Sequence, residues 1–182
     1  MLQIVVPASE QYDSKNNLFF NTNEQTLLLE HSLISLSKWE AKYKRSFLNS
    51  GPQNVDEILF YIKCMTINKN VDDLVYNALN KENIEKITDY IDDPMTATTF
   101  YDFSNTKGRR KQEIVTAEVI YSWMIILQIP IEFEKWHINR LLTLIRVVNI
   151  KSQPDQKMSK AETAAMYRKL NAQRRKARHT KG

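Results

Sequence analysis

Gln112-Glu-Ile-Val-Thr-Ala-Glu-Val-Ile-Tyr-Ser-Trp-Met-Ile-Ile-Leu127 is the stretch on which the fold turns. Drawn as a helix, it carries apolar side chains almost all the way round, the pattern of a central helix surrounded by others. The longer apolar run Ile114 to Ile131 contains Glu118, Gln128 and Pro130. It falls short of a comfortable membrane span, so it reads as a buried helix.

The flanking segments are predicted to pack around it. Downstream, Ile129-Pro130-Ile131 turns the chain, and Phe133 to Ile150 forms a second core helix with a stripe of Trp136, Leu141, Leu144, Ile145 and Val148. Upstream, Met95 to Lys111 is irregular, with Gly108-Arg-Arg-Lys111 as an exposed basic tip. Glu82 to Ile91 places Ile84, Ile87 and Ile91 on one face. Asp72 to Leu79 is a short helix, and Val55 to Thr66 another. In His31 to Arg45, Leu33, Leu36, Trp39 (or Glu40) and Tyr43 repeat at helical spacing, leaving Lys38, Lys42 and Lys44 to solvent. Asn49-Ser-Gly-Pro52 follows as a stop.

At the start, Gln3 to Val6, Leu18-Phe-Phe20 and Thr26 to Leu29 read as short strands around a polar, turn-rich Glu10 to Asn17. At the other end, Ser152-Gln-Pro-Asp-Gln156 is a linker. Ser159 and Glu162 fit a capping box, and a helix rich in alanine runs on to about Lys176. The expected fold is therefore mainly α: a helical bundle with a small N-terminal β hairpin and a C-terminal basic helix. Only 3 glycines and 5 prolines fit this better than a turn-rich β architecture. Residues 1–150 form the helical domain with its β element, and 151–182 the linker and basic tail.

Charge separates these two parts. Residues 151–182 hold ten Lys/Arg and two Asp/Glu, a net of +8, whereas 1–150 hold sixteen and nineteen, a net of −3. Such asymmetry speaks of partners rather than of fold. The tail suits an anionic surface. It has one aromatic, Tyr167, so base stacking is not expected, and nucleic acid is not the favoured partner.

Catalytic signatures are missing. The single cysteine, Cys64, lies in an apolar run and reads as a buried reduced thiol, which favours a cytoplasmic chain. The three histidines show no metal-ligand spacing. Asp72-Asp73 and Asp92-Asp93 are sequence neighbours, which do not face one another on a helix. Gly51, Gly108 and Gly182 cannot build a phosphate loop. The start, Met1-Leu-Gln-Ile-Val-Val-Pro7, lacks a basic segment and a long apolar core, so no signal peptide is expected. No cofactor or metal is expected either. The chain reads as a binding protein, not an enzyme. Its candidate partner-binding residues are Trp39, Trp136 and Arg140, with the tail cations Arg168, Lys169, Arg174, Arg175, Lys176 and Arg178. For each tryptophan the competing reading is a ring that anchors its helix to the core.

Several segments carry a family likeness. Leu28-Leu-Glu-His-Ser-Leu-Ile-Ser-Leu-Ser-Lys-Trp-Glu40, Tyr61-Ile-Lys-Cys-Met-Thr66, Met95-Thr-Ala-Thr-Thr99, Glu113-Ile-Val-Thr-Ala-Glu118 and Trp136-His-Ile-Asn-Arg-Leu-Leu-Thr-Leu-Ile-Arg146 resemble tail assembly chaperones of long-tailed bacteriophages. The likeness covers nearly the whole chain, including the Lys181-Gly182 ending. It implies a soluble helical protein of the host cytoplasm that coats the tape measure protein until tail tube subunits polymerise around it. It also implies that a longer form, made by frameshifting, recruits tail tube protein; self-association is a further candidate contact, with the basic tail linking one subunit to the next. The alternatives are a structural virion component, such as a head–tail connector or minor tail protein, and a nucleic-acid-binding accessory protein acting through the tail.

Overall fold

The computed structural model describes residues 1–13, 18–100 and 114–152, with helical positions at 164, 165, 167, 168, 171, 172 and 175. The protein is mostly α-helical with a small N-terminal β hairpin. The predicted basic tip at 108–111, the linker at 153–156 and the Ser159–Glu162 capping box lie outside the described residues.

The hairpin has four strands in two collinear ladders. β1 (Leu2–Val6) pairs antiparallel with β4 (Gln25–Leu29), and β2 (Ser9–Asp13) with β3 (Leu18–Thr22). Leu2 faces Leu29 and Asp13 faces Leu18, so paired residue numbers sum to 31 in both ladders. It is one ribbon, interrupted where Pro7 lacks the N–H that a ladder needs. The polar stretch Glu10 to Asp13, expected as a turn, is thus part of a strand. Polar residues suit it because a two-stranded ribbon exposes much of its surface. Ile4, Val6, Leu27 and Leu29 belong to the core.

Asparagine side chains meet both sides of the inner ladder. Asn68 Oδ1 accepts from Leu28 N at 2.6 Å, and Asn68 Nδ2 donates to Thr26 O at 3.2 Å. Backbone bonds from Glu30 N to Met65 O and from Ile67 N to Leu28 O continue that join. On the far side, Asn83 Nδ2 donates to Val5 O at 3.0 Å.

Helix α1 (Leu33–Tyr43) occupies the centre. Its N-cap Ser32 and Ser35 exchange bonds in a capping box, and Lys44 ends it in the left-handed region at φ 54°. Leu33, Leu36, Trp39 and Glu40 are buried along it. It packs against α2 (Phe47–Ser50), α3 (Val55–Met65), α5 (Ala117–Ile126) and the 3-10 helix Ile131–Lys135. The short α2 replaces part of the expected stop; Ser46 caps it, and Gly51, at φ +57°, ends it. Asn54 caps α3 by accepting from Glu57 N, and its Nδ2 donates to Glu57 Oε1. Asp73–Ala78 is a 3-10 helix, and α4 (Lys81–Asp92) follows, packing on β1.

Two expectations need correction. α5 is not surrounded: Ala117, Ile120 and Met124 are buried, but Ile125 is 76% and Ile126 74% exposed. A single face of α5 meets α1, and apolar residues beyond that face are left at the surface. The expected helix 133–150 is also split. Ile131–Lys135 is 3-10, Trp136 and His137 are extended or bridging, and α6 runs Ile138–Ser152. The break follows from a cross-chain join. His137 bridges Ser32, and Ile138 N donates to His31 O at 2.7 Å. Trp136 therefore leaves the α6 stripe, whose buried members are Ile138, Leu141 and Ile145.

Candidate partner-binding site

The two tryptophans singled out by sequence have different fates. Trp39 is 0% exposed, T-shaped to Phe47 at 5.3 Å and tilted against Tyr43 at 4.9 Å. Arg45 lies 5.5 Å from its ring centroid and bonds Glu57 Oε2 at 2.7 Å. Trp39 is a core residue, so it offers no surface to a partner in this fold. Its Nε1–H is buried without a hydrogen-bond partner.

Trp136 and Arg140 do come together. The guanidinium sits 4.1 Å from the indole centroid, within cation–π range, and the Phe133 ring stacks on the same indole at 4.0 Å and 16°. The first turn of α6 supplies the arginine, and the preceding 3-10 helix supplies Phe133. Trp136 is half-buried and Arg140 exposed. Glu134 accepts from Tyr121 Oη at 2.7 Å, fastening this corner to α5. Burial first, then Glu134, raises the Tyr121 phenol well above its ordinary range. Of the tail cations, Arg168 and Arg175 are helical and exposed. Lys169, Arg174, Lys176 and Arg178 lie outside the described residues.

A groove that sequence reading misses runs between α5 and α6. Trp123, Ile126 and Leu127 line one wall, and Leu142, Ile145, Arg146 and Asn149 the other. Its volume is about 430 Å³. Arg146 also covers the Phe100 ring at 4.0 Å. The α5 wall ends abruptly: Gln128 adopts φ 53°, and Ile129 N reaches back to Met124 O at 2.8 Å. This holds Ile126 and Leu127 at the lip. The sequence signal is the surplus of apolar residues between Ile114 and Leu127, since more of them than one core face can absorb must leave some on the surface. An apolar patch of this kind, rimmed by polar groups, is what marks an interaction surface.

The polar clusters of the interior serve the scaffold. Glu40 Oε1 accepts from Phe47 N at 2.8 Å and Oε2 from Ala117 N at 2.7 Å. One buried carboxylate thus caps the N-termini of α2 and α5, where helix dipoles favour negative charge. His31 Nδ1 pairs with Tyr61 Oη, which lies 3.4 Å from Ser35 Oγ. All three are buried, out of reach of a substrate. Burial, with the His137 ring 5.0 Å away, lowers the His31 pKa from 6.5 to about 3. His137 Nε2 faces Tyr90 O at 2.9 Å. Burial raises Cys64 to about 11 against the pull of Lys38, Lys42 and Lys63, so its sulfur is a thiol at neutral pH.

Among the described residues no group of three or more His, Cys, Asp or Glu is placed to hold a metal ion, and no helix is long and apolar enough to cross a membrane. Comparison with family models, curated proteins and solved structures finds no match to this chain.

Proposed function

We propose that this chain is a binding protein that shields the apolar face of a helical partner, acting as a phage tail assembly chaperone for the tape measure protein. The observation that carries the reading is the open apolar groove between α5 and α6, with Ile126 at its lip. An amphipathic helix lays its apolar residues into such a groove through positions i, i+3, i+4 and i+7. A long helical polypeptide with its stripe uncovered aggregates, and a protein offering grooves along it keeps it dispersed. In this reading the helical bundle of residues 1–150 makes the main contact in the host cytoplasm. The 151–182 segment, a C-terminal basic helix, adds charge pairing, and the Trp136–Arg140 pair is a second contact point.

Co-expression with the tape measure protein of the same genome tests this. Soluble tape measure protein is expected only when this chain is present. A tape measure protein equally insoluble with and without it rejects the reading.

A further inference from the structure

Helix α6 is fastened at one end. Ile138, Leu141 and Ile145 are its buried members, and past Ile145 its residues are half-buried or exposed. Towards α5 it offers only a groove wall, through Leu142, Ile145, Arg146 and Asn149. The fastening is at its start, where Ile138 N donates to His31 O at 2.7 Å and Ser32 bridges His137. Asn139 adds a clamp, its Nδ2 donating to Ile91 O at 3.1 Å and to Asp93 O at 2.8 Å.

Two buried imidazoles meet at this fastening. His31 is 2% and His137 5% exposed, and their ring centroids are 5.0 Å apart. The partners of His137 fix its protons. Tyr90 O, at 2.9 Å, can only accept, so Nε2 carries the hydrogen. Asn139 N, at 3.3 Å, can only donate, so Nδ1 accepts. The ring is thus a neutral tautomer that caps the first turn of α6. A second proton would set N–H against N–H and put positive charge at the positive end of the α6 dipole, beside His31. His31 is a poor host too: burial, then His137, lowers its pKa from 6.5 to about 3.

The other polar groups around the pair are engaged. Tyr61 of α3 meets His31 Nδ1, with Ser35 of α1 beyond it and the charge of Glu40 acting on its phenol. Tyr90 of α4 faces His137 and donates its hydroxyl to Glu30, which also pairs with the Met1 ammonium. Asp93 Oδ1 accepts from Met95 N, and Arg140 lies over Trp136. Among the described residues no carboxylate bonds either imidazole.

We infer that the His31–His137 pair is an acid-released latch: neutral rings hold the start of α6 against the His31–Ser32 segment, and a proton taken up by the pair frees α6 and with it one wall of the groove. The latch belongs to the fold, whatever the groove binds. Once α6 is free, both rings meet water and take protons near pH 6.5, as ordinary imidazoles do. The closed state is therefore fully favoured above that pH. As pH falls it loses about tenfold per unit for each proton it refuses.

Hydrogen exchange of the full-length chain, followed by mass spectrometry from about pH 7.5 to 5 and corrected for the intrinsic pH dependence of exchange, tests this. Peptides from Ile138–Ser152 are expected to be less protected than those of α1 and α3, and to lose protection by at least about tenfold per pH unit below about pH 6.5. His137→Gln, whose carboxamide keeps a donor and an acceptor, is expected to make that fall shallower, and so is His31→Phe. The double variant is expected to keep the neutral-pH circular dichroism spectrum and to show α6 protection level across the range. Wild-type α6 protection that does not change with pH, or that is lost only together with α1 and α3, overturns the latch without recourse to any variant. A double variant whose α6 still loosens in acid also overturns it, by moving the trigger to other groups.

Discussion

Replacing His31 with phenylalanine should flatten the acid limb of this protein's stability curve. His31 is 2% exposed, and its folded pKa is about 3 against 6.5 for an unburied imidazole. Below pH 6.5 the unfolded chain takes up a proton that the folded chain refuses. The stabilisation is thus complete above pH 6.5 and is lost as pH falls towards 3. The slope approaches about 1.4 kcal/mol per pH unit, so the drop from pH 8 to about 4.5 costs about 2.7 kcal/mol through this residue alone. A phenyl ring at this position would not titrate. It would leave Tyr61 Oη with Ser35 Oγ at 3.4 Å, a pH-independent loss of about 1–3 kcal/mol on which the titration of His31 is superimposed. Urea unfolding of both proteins from about pH 8 to 4.5 separates the effects. The carboxylates titrate alike in each, so the difference between the curves isolates His31. The phenylalanine variant should be the less stable at the upper end, and the gap should change by about 2.7 kcal/mol in its favour at the lower, closing or reversing. Parallel curves would refute the argument, because they would mean that the folded state accepts the proton or that His31 is not enclosed.

Other perturbations probe the scaffold. Glu40→Ala should cost about 2–5 kcal/mol by orphaning the Phe47 and Ala117 amides, with faster hydrogen exchange at the start of α5; Glu40→Gln, which keeps acceptor capacity, should cost clearly less. Trp39→Ala should lose about 3–5 kcal/mol in thermal or urea unfolding, whereas Trp136→Ala should lose about 1 kcal/mol, since its ring is half-exposed. The Cys64 thiol should resist a disulfide-exchange reagent at about pH 8 in the native protein and react at once in denaturant, because its pKa of about 11 keeps it protonated.

Much of this architecture is legible in the chain. The helical repeat of Leu33, Leu36 and Trp39 locates α1, and the Asn54–Glu57 cap fits the start predicted for the helix from Val55. What escapes depends on distant partners. The break before α6 comes from His31 O and Ser32, which lie far back along the chain, and no local pattern marks it. The Ser9–Asp13 strand looks like a turn because its composition is polar; only its register with Leu18–Thr22 makes it a strand. Trp39 and Trp136 sit in similarly charged contexts, yet one is enclosed and one is not, since the difference lies in what packs across them. The surplus of isoleucine in α5 hints at the groove, but periodicity cannot say which face stays open.

The pair Asn68 and Asn83 has a consequence for the edges of the inner ladder. An open strand edge is a template on which any extended polypeptide can crystallise. Asn68 presents one carboxamide oxygen and one amide nitrogen to β4, the two groups a further strand would bring, and Asn83 occupies Val5 O across the ribbon. The inner ladder is thus terminated like a polymer end capped by a monofunctional monomer. An extended segment arriving at the β4 edge would find Leu28 N and Thr26 O already taken, and Val5 O taken on the other side.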